Sequence, residues 1–143
     1  MARVVGTDLR SPWTYYEGNG WATKLSKAVV VESNLIQVTA ISGIYLFIAA
    51  NFVSNDIVAA VACSPVGPFG PSQAIYTAPE PSLYPTSYGA LASYDAKVHP
   101  ELSTSPNTLV VSYDVNFWAI HGLVNPDASV YRPRFIDIAV NPG

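Results

Sequence analysis

Thiols, charge and histidine are all scarce in this 143-residue sequence, which has one cysteine, two histidines and 12% charged side chains. A single thiol, Cys63, excludes an intrachain disulfide and any zinc cluster built on several thiolates. Its position at the end of an apolar run predicts a small packing residue. Seven basic residues scattered through a chain of net charge −3 exclude the clustered cations that bind nucleic-acid phosphates. Long apolar runs are missing as well: none reaches the roughly 18 residues that span a bilayer. The longest candidate, 41–53, is broken by Ser42, Gly43 and Asn51. The N-terminus lacks the apolar core of a signal peptide, and no Asn-x-Ser/Thr sequon occurs. There is no Gly-rich phosphate loop, HExxH or GxSxG motif, and serine, histidine and aspartate fall in no order that singles out a triad.

What is present is β-forming. Half the residues are apolar, too many for a disordered chain and enough to build the core of one domain. Twelve prolines and nine glycines lie mostly between runs of β-branched and aromatic residues, an all-β signature. Strands are predicted at 3–5, 14–17, 28–31, 35–41, 45–51, 56–63, 73–77, 96–99, 108–115 and 130–140. Ser42-Gly43 reads as a tight hairpin turn, and Pro106-Asn107 takes the same place further on. The runs 45–51 and 56–63 are apolar at nearly every position, so both of their faces should be covered. The segment 77–92 reads as an ordered crossing loop that packs through Tyr76, Tyr84 and Tyr88.

The pattern occurs twice. The run from Tyr45 to Asn51 matches that from Thr108 to Asp114, 63 residues on, and each copy has an extended segment before it and a strand after it. A repeat of this kind predicts β-propeller blades, with long loops filling a period above the roughly 40–50 residues of common propeller repeats. The expected architecture is a single all-β domain over 1–143 of about two antiparallel blades. Residues 1–80 would hold the end of one blade and a first full blade, and 81–143 the second. A compact β-sandwich is the alternative. An incomplete propeller leaves strand edges bare, so a homo-oligomer is expected.

Candidate site residues gather late in the chain. His99 and Glu101 share one face if the segment is extended. Glu101 is the leading catalytic candidate among Glu17, Glu80, Asp95, Glu101 and Asp114, because period-two alternation puts it on the face of His99. Its structural alternative is an ion pair with Arg132 or Arg134. His99 could be a structural hydrogen-bonding residue, a sugar contact or a cation ligand. A lone histidine points only weakly to a metal. Arg132 and Arg134, on one face around Pro133, could bind a carboxylated sugar or a phosphate, or could clamp Glu101 and Asp114. His121 reads as an exposed loop residue. Trp13, Tyr15, Tyr16, Trp21, Tyr113, Phe117 and Trp118 are core residues or stacking platforms. Trp118, after Asn116 at a strand end, is the preferred platform.

Five segments in order, WTYYEGNGW at 13–21, SPVGPFGPSQAIYTAPE at 64–80, AKVHPELS at 96–103, LVVSYDVN at 109–116 and YRPRFIDIAV at 131–140, resemble the C-terminal part of arabinanase-like five-bladed propellers. In particular they are similar to the glycoside-hydrolase-like branch made of domains of unknown function. The resemblance implies a polysaccharide-directed glycan-binding module whose ligand contacts would include Asp95, His99, Asn116, Trp118, Arg132 and Arg134. It implies an extracellular location and, near the propeller axis, a place for a central cation such as calcium. Whole members are longer and draw catalytic carboxylates from earlier blades, so a lone chain would lack a complete catalytic site. Two rivals are a self-assembling structural subunit without substrate and a lectin-type sandwich.

Overall fold

The computed structural model describes residues 1–30, 37–84, 90–117 and 129–140. They form an all-β protein of three antiparallel sheets, none closed into a barrel. A small sheet pairs β1 (Ala2–Arg3), β2 (Thr14–Tyr16) and β3 (Trp21–Ala22). Next comes a four-stranded meander of β4 (Gln37–Ile41), β5 (Ile44–Ala50), β6 (Asp56–Ala62) and β7 (Gln73–Thr77). A short helix, α1 (Glu80–Leu83), precedes a three-stranded meander of β8 (Leu91–His99), β9 (Thr108–Phe117) and β10 (Arg134–Ala139).

The 63-residue repeat is visible in space, since β4-β5-β6 and β8-β9-β10 have the same connectivity with β5 and β9 central. Between β4 and β5, Ser42 and Gly43 both take positive φ, 48° and 82°, as a two-residue hairpin of the primed type requires. The second hairpin is longer than expected, because a 3-10 turn at Pro100–Leu102 intervenes before β9.

The core lies where the two meanders meet. Leu46, Ile48 and Ile57 pack against Val98, Leu109, Val111, Tyr113, Val115 and Phe117. Strand β9 alternates strictly, with its odd-numbered residues buried here and its even-numbered ones on the opposite face. The other face of β5 and β6 buries Phe47, Ala49 and Ala60 under Phe69. The continuous apolar character of these strands therefore has a sheet on one side and a loop on the other. Gly67, at φ +78°, makes that loop fit: a Cβ there would lie 2.9 Å from the backbone nitrogen of Phe69.

The edge of β8 is not bare. The Gln37 side chain donates to Val98 O (3.0 Å) and accepts from Val98 N (2.7 Å), and Asn55 Oδ1 accepts from Ser93 N at 2.9 Å. Side chains of the neighbouring sheet thus satisfy groups that would otherwise recruit a strand. One of the exposed edges on which oligomerisation was expected is covered within the chain.

Several sequence expectations need correction. Residues 28–30 are not a strand, and a 3-10 turn at Leu25–Lys27 precedes them. Within the segment read as a crossing loop, α1 forms and β8 begins at Leu91, five residues before the expected strand. Tyr76 and Tyr84 do pack against the core, whereas Tyr88 is outside the described residues. The last strand starts at Arg134, not at 130. Cys63, just past β6, is exposed and not a packing residue.

Candidate functional site

The outer face of the β8-β9-β10 sheet carries most of the polar candidates. Cross-strand register places Tyr94 opposite Asp114, Lys97 opposite Ser112 and His99 opposite Val110, and directly paired residues share a face. Tyr94 and Lys97 differ in parity, so alternation alone would separate them. A β-bulge between them sets two residues against one, and Asp95 absorbs it with φ +54°. The bulge is the reason that Tyr94 and His99 look out from the same surface.

At one end of this face, His99 is held from both sides. Its Nε2 lies 2.8 Å from Ser112 Oγ and its Nδ1 3.1 Å from Glu101 Oε1. The Phe135 ring stands 5.8 Å from the imidazole, centroid to centroid. His99 and Glu101 meet as expected, but by a different route, because the strand ends at His99 and the 3-10 turn folds Glu101 back onto it. Glu101 is held below the usual carboxylate range, first by its own backbone N–H and then by His99. Facing an ionised Glu101, Nδ1 carries its proton and donates to the carboxylate, and in the neutral imidazole Nε2 then accepts from the Ser112 hydroxyl. Ser112 is not singled out by the sequence, because it comes beside the imidazole only through the His99–Val110 register across a hairpin lengthened by the 3-10 turn.

At the other end, a cleft of about 130 Å³ is lined by Tyr94, Asp114, Val115, Tyr131, Arg132 and Pro133. Burial pushes the Tyr94 phenol up to about 12, helped by its hydrogen bond with Tyr131, by Tyr131's charge and by the charges of Asp114 and Asp95. Asp95 also pairs with Lys97 at 2.9 Å, both half exposed. Since the folded value of Tyr94 exceeds the ordinary 10.0, its contribution to stability is complete below that pH and fades as pH rises through about 12. Urea titrations above and below pH 10.0 should therefore show an alkaline loss that is shallower in Tyr94→Phe. An unchanged slope in the variant would mean the phenol is not shielded in the fold.

Arg132 and Arg134 do not act as a pair. Arg132 lines the cleft. Arg134 turns to the core side, where its Nε meets Glu80 Oε1 at 2.5 Å and its guanidinium donates to Val130 O and Arg132 O. The Tyr113 hydroxyl donates to the same carboxylate, 3.1 Å from Oε2, and burial first, then hydrogen bonding with Tyr76 and the Glu80 charge, push its phenol up. Hence Arg134 clamps neither Glu101 nor Asp114, and Glu80, one of the five candidate carboxylates, is its partner. Tyr113 and Phe117 are core residues, not platforms. Trp21 stacks under Arg3, with the guanidinium 4.0 Å from the ring centroid.

Asn116 lies on the outer face of β9, its amide oxygen accepting from Phe117 N at 2.9 Å. Trp118 and His121 are outside the described residues. Four strand positions separate Asp114 from Val110, the partner of His99, which is about 13 Å at about 3.3 Å per residue. That exceeds the roughly 5–9.5 Å between glycosidase carboxyl groups, so Asp114 lies too far along the strand to pair with Glu101; Asp137, opposite Val110 on β10, is the acidic residue of this face in the row of His99. Nor does His99 fit a cation: both ring nitrogens face protein partners, and among the described residues no three of His, Cys, Asp or Glu converge. No described helix is long and apolar enough to cross a membrane.

A family model described as a domain of unknown function, DUF5005, matches residues 1–140. A crystal structure of a "putative hydrolase" from Bacteroides ovatus ATCC 8483 shares the fold with a TM-score of 0.68 at 24% identity. The match covers 94% of this chain but only 37% of that one. The chain thus spans little more than a third of that protein's length. Curated proteins give no match.

Proposed function

The chain belongs to the DUF5005 family, and from that premise we propose that it is the carbohydrate-binding part of a hydrolase-type β-propeller. The two similar meanders are its blades, and the second is an end blade whose outer face no neighbouring blade covers. The outer face of the second meander receives the glycan. The observation that carries this is the cleft beside Asp114, where Tyr94 and Tyr131 offer ring faces and Asp114 and Arg132 offer charged partners for hydroxyl groups. Sugars are bound by this combination of apolar ring contact with directional, charge-assisted hydrogen bonds. The hydrolase description of the structural neighbour, and its greater length, support a module that works inside a larger enzyme. An extracellular setting, where polysaccharides are met, fits the same proposal.

Glycan-array screening followed by calorimetry tests it. A hydrogen bond to a charged group contributes about 1.5–3 kcal/mol, so Asp114→Ala should weaken binding by about ten- to a hundredfold while leaving the melting temperature in place. Absence of any bound oligosaccharide, or binding untouched by Asp114→Ala, would favour a structural subunit without substrate.

A further inference from the structure

We propose that Ser112, His99 and Glu101 form a nucleophile relay that hydrolyses a small acyl ester. The three groups come from the β8/β9 hairpin and the turn inside it, so backbone register holds them. His99 Nε2 is 2.8 Å from the hydroxyl and Nδ1 is 3.1 Å from the carboxylate. A nucleophile within reach of a base that a third group orients is the constellation of hydroxyl nucleophiles generally. The relay is also open to solvent, with the His99 and Glu101 side chains 26% and 66% exposed. Phe135, itself 56% exposed, forms an apolar wall beside the imidazole.

The chemistry balances with water as the only other reactant. Ser112 Oγ bonds to the ester carbonyl carbon as its proton passes to His99 Nε2, and the carbonyl π pair moves onto oxygen. Lys97, cross-strand partner of Ser112, carries a cation on the same face, which leaves its 2.9 Å pair with Asp95 to meet that oxyanion. Its collapse breaks the bond to the alcohol oxygen, which leaves with the proton from His99. Water then attacks the acyl-Ser112 ester, its proton returning through His99 to Ser112 Oγ as the free acid departs. Glu101 stabilises the imidazolium throughout. Ser112 stands on an open sheet face with no deep cavity to hold a long acyl chain, which favours a short, acetyl-sized group. Asp114 and Asn116 continue the same face of β9 and provide partners for a hydroxylated alcohol. Only that alcohol half, an acetylated sugar, rests on the carbohydrate-binding proposal.

The test uses the whole chain with p-nitrophenyl acetate and a fluorophosphonate probe, followed by peptide mass spectrometry. Fluorophosphonate should modify Ser112. Turnover should be lost in Ser112→Ala, and His99→Asn should slow it by about 10²-fold or more. Glu101→Gln should lower the rate and shift its pH profile, which a merely structural contact would not do. Cys63→Ser removes the exposed thiol as a competing nucleophile and should leave turnover intact. Nitrogen NMR of the imidazole, with the proton on Nδ1, checks the relay even if a variant misfolds. Turnover surviving in Ser112→Ala, or no adduct on Ser112, would overturn the relay. Release of acetate from p-nitrophenyl acetate but not from acetylated oligosaccharides would overturn the alcohol half alone, and glycan binding without any acyl chemistry would leave the binding proposal standing by itself.

Discussion

Arg134→Ala should destabilise the fold by about 3–5 kcal/mol, because it leaves a buried carboxylate without its cation. Glu80 and Arg134 keep only 11% and 12% of their side chains exposed, so water offers Glu80 little compensation. The same substitution removes the donors to Val130 O and Arg132 O, which hold the turn leading from the core to the cleft. Stability and glycan affinity should therefore fall together. Replacing both partners, as in Glu80→Leu with Arg134→Met, should recover part of the loss, since an apolar pair leaves no orphaned charge. Recovery stays incomplete because the Tyr113 hydroxyl, which donates to Glu80, loses its acceptor. Urea unfolding of the two singles and the double measures the coupling. A loss in Arg134→Ala as small as the about 0.5 kcal/mol of an ordinary surface change would show that the pair is not a structural element.

Ile48→Ala should cost about 2–5 kcal/mol, the range for emptying a well-packed aliphatic site. Ile48 is 1% exposed and faces the second meander across the shared core. The residue matters because the two sheets are joined mainly by side chains and by a few edge contacts such as those of Gln37. A residue further along the neighbouring strand gives the control. Val61 sits on β6 opposite Leu46 but is 50% exposed, so Val61→Ala should stay within about 0.5 kcal/mol. If the two variants unfold at the same urea concentration, the sheets are not packed through this surface.

Much of the fold could be read from the residues. The Ser42-Gly43 turn, the apolar runs on either side of it and the 63-residue repeat were legible because each rests on local chemistry: a turn that needs positive φ, strands that need cover, and a unit used twice. The start of β8 was missed because Leu91-Ala92-Ser93 carries little β-branched character and follows a segment rich in proline and tyrosine. A strand through both would put Arg132 and Arg134 on one face, but only Arg134 is in it.

The sequence by itself determined an all-β chain of low charge, its two similar units and the nearness of His99 to Glu101, since all three follow from composition and short-range spacing. Which polar groups share a surface was left to the tertiary structure. A single inserted residue at the β8 bulge reverses the parity between Tyr94 and Lys97, and no periodicity in the residues announces it. Partners distant along the chain were decided there too. Ser112 reaches His99 through hairpin register, and Glu80 reaches Arg134 because one sheet packs over the other and neither charge can be buried alone.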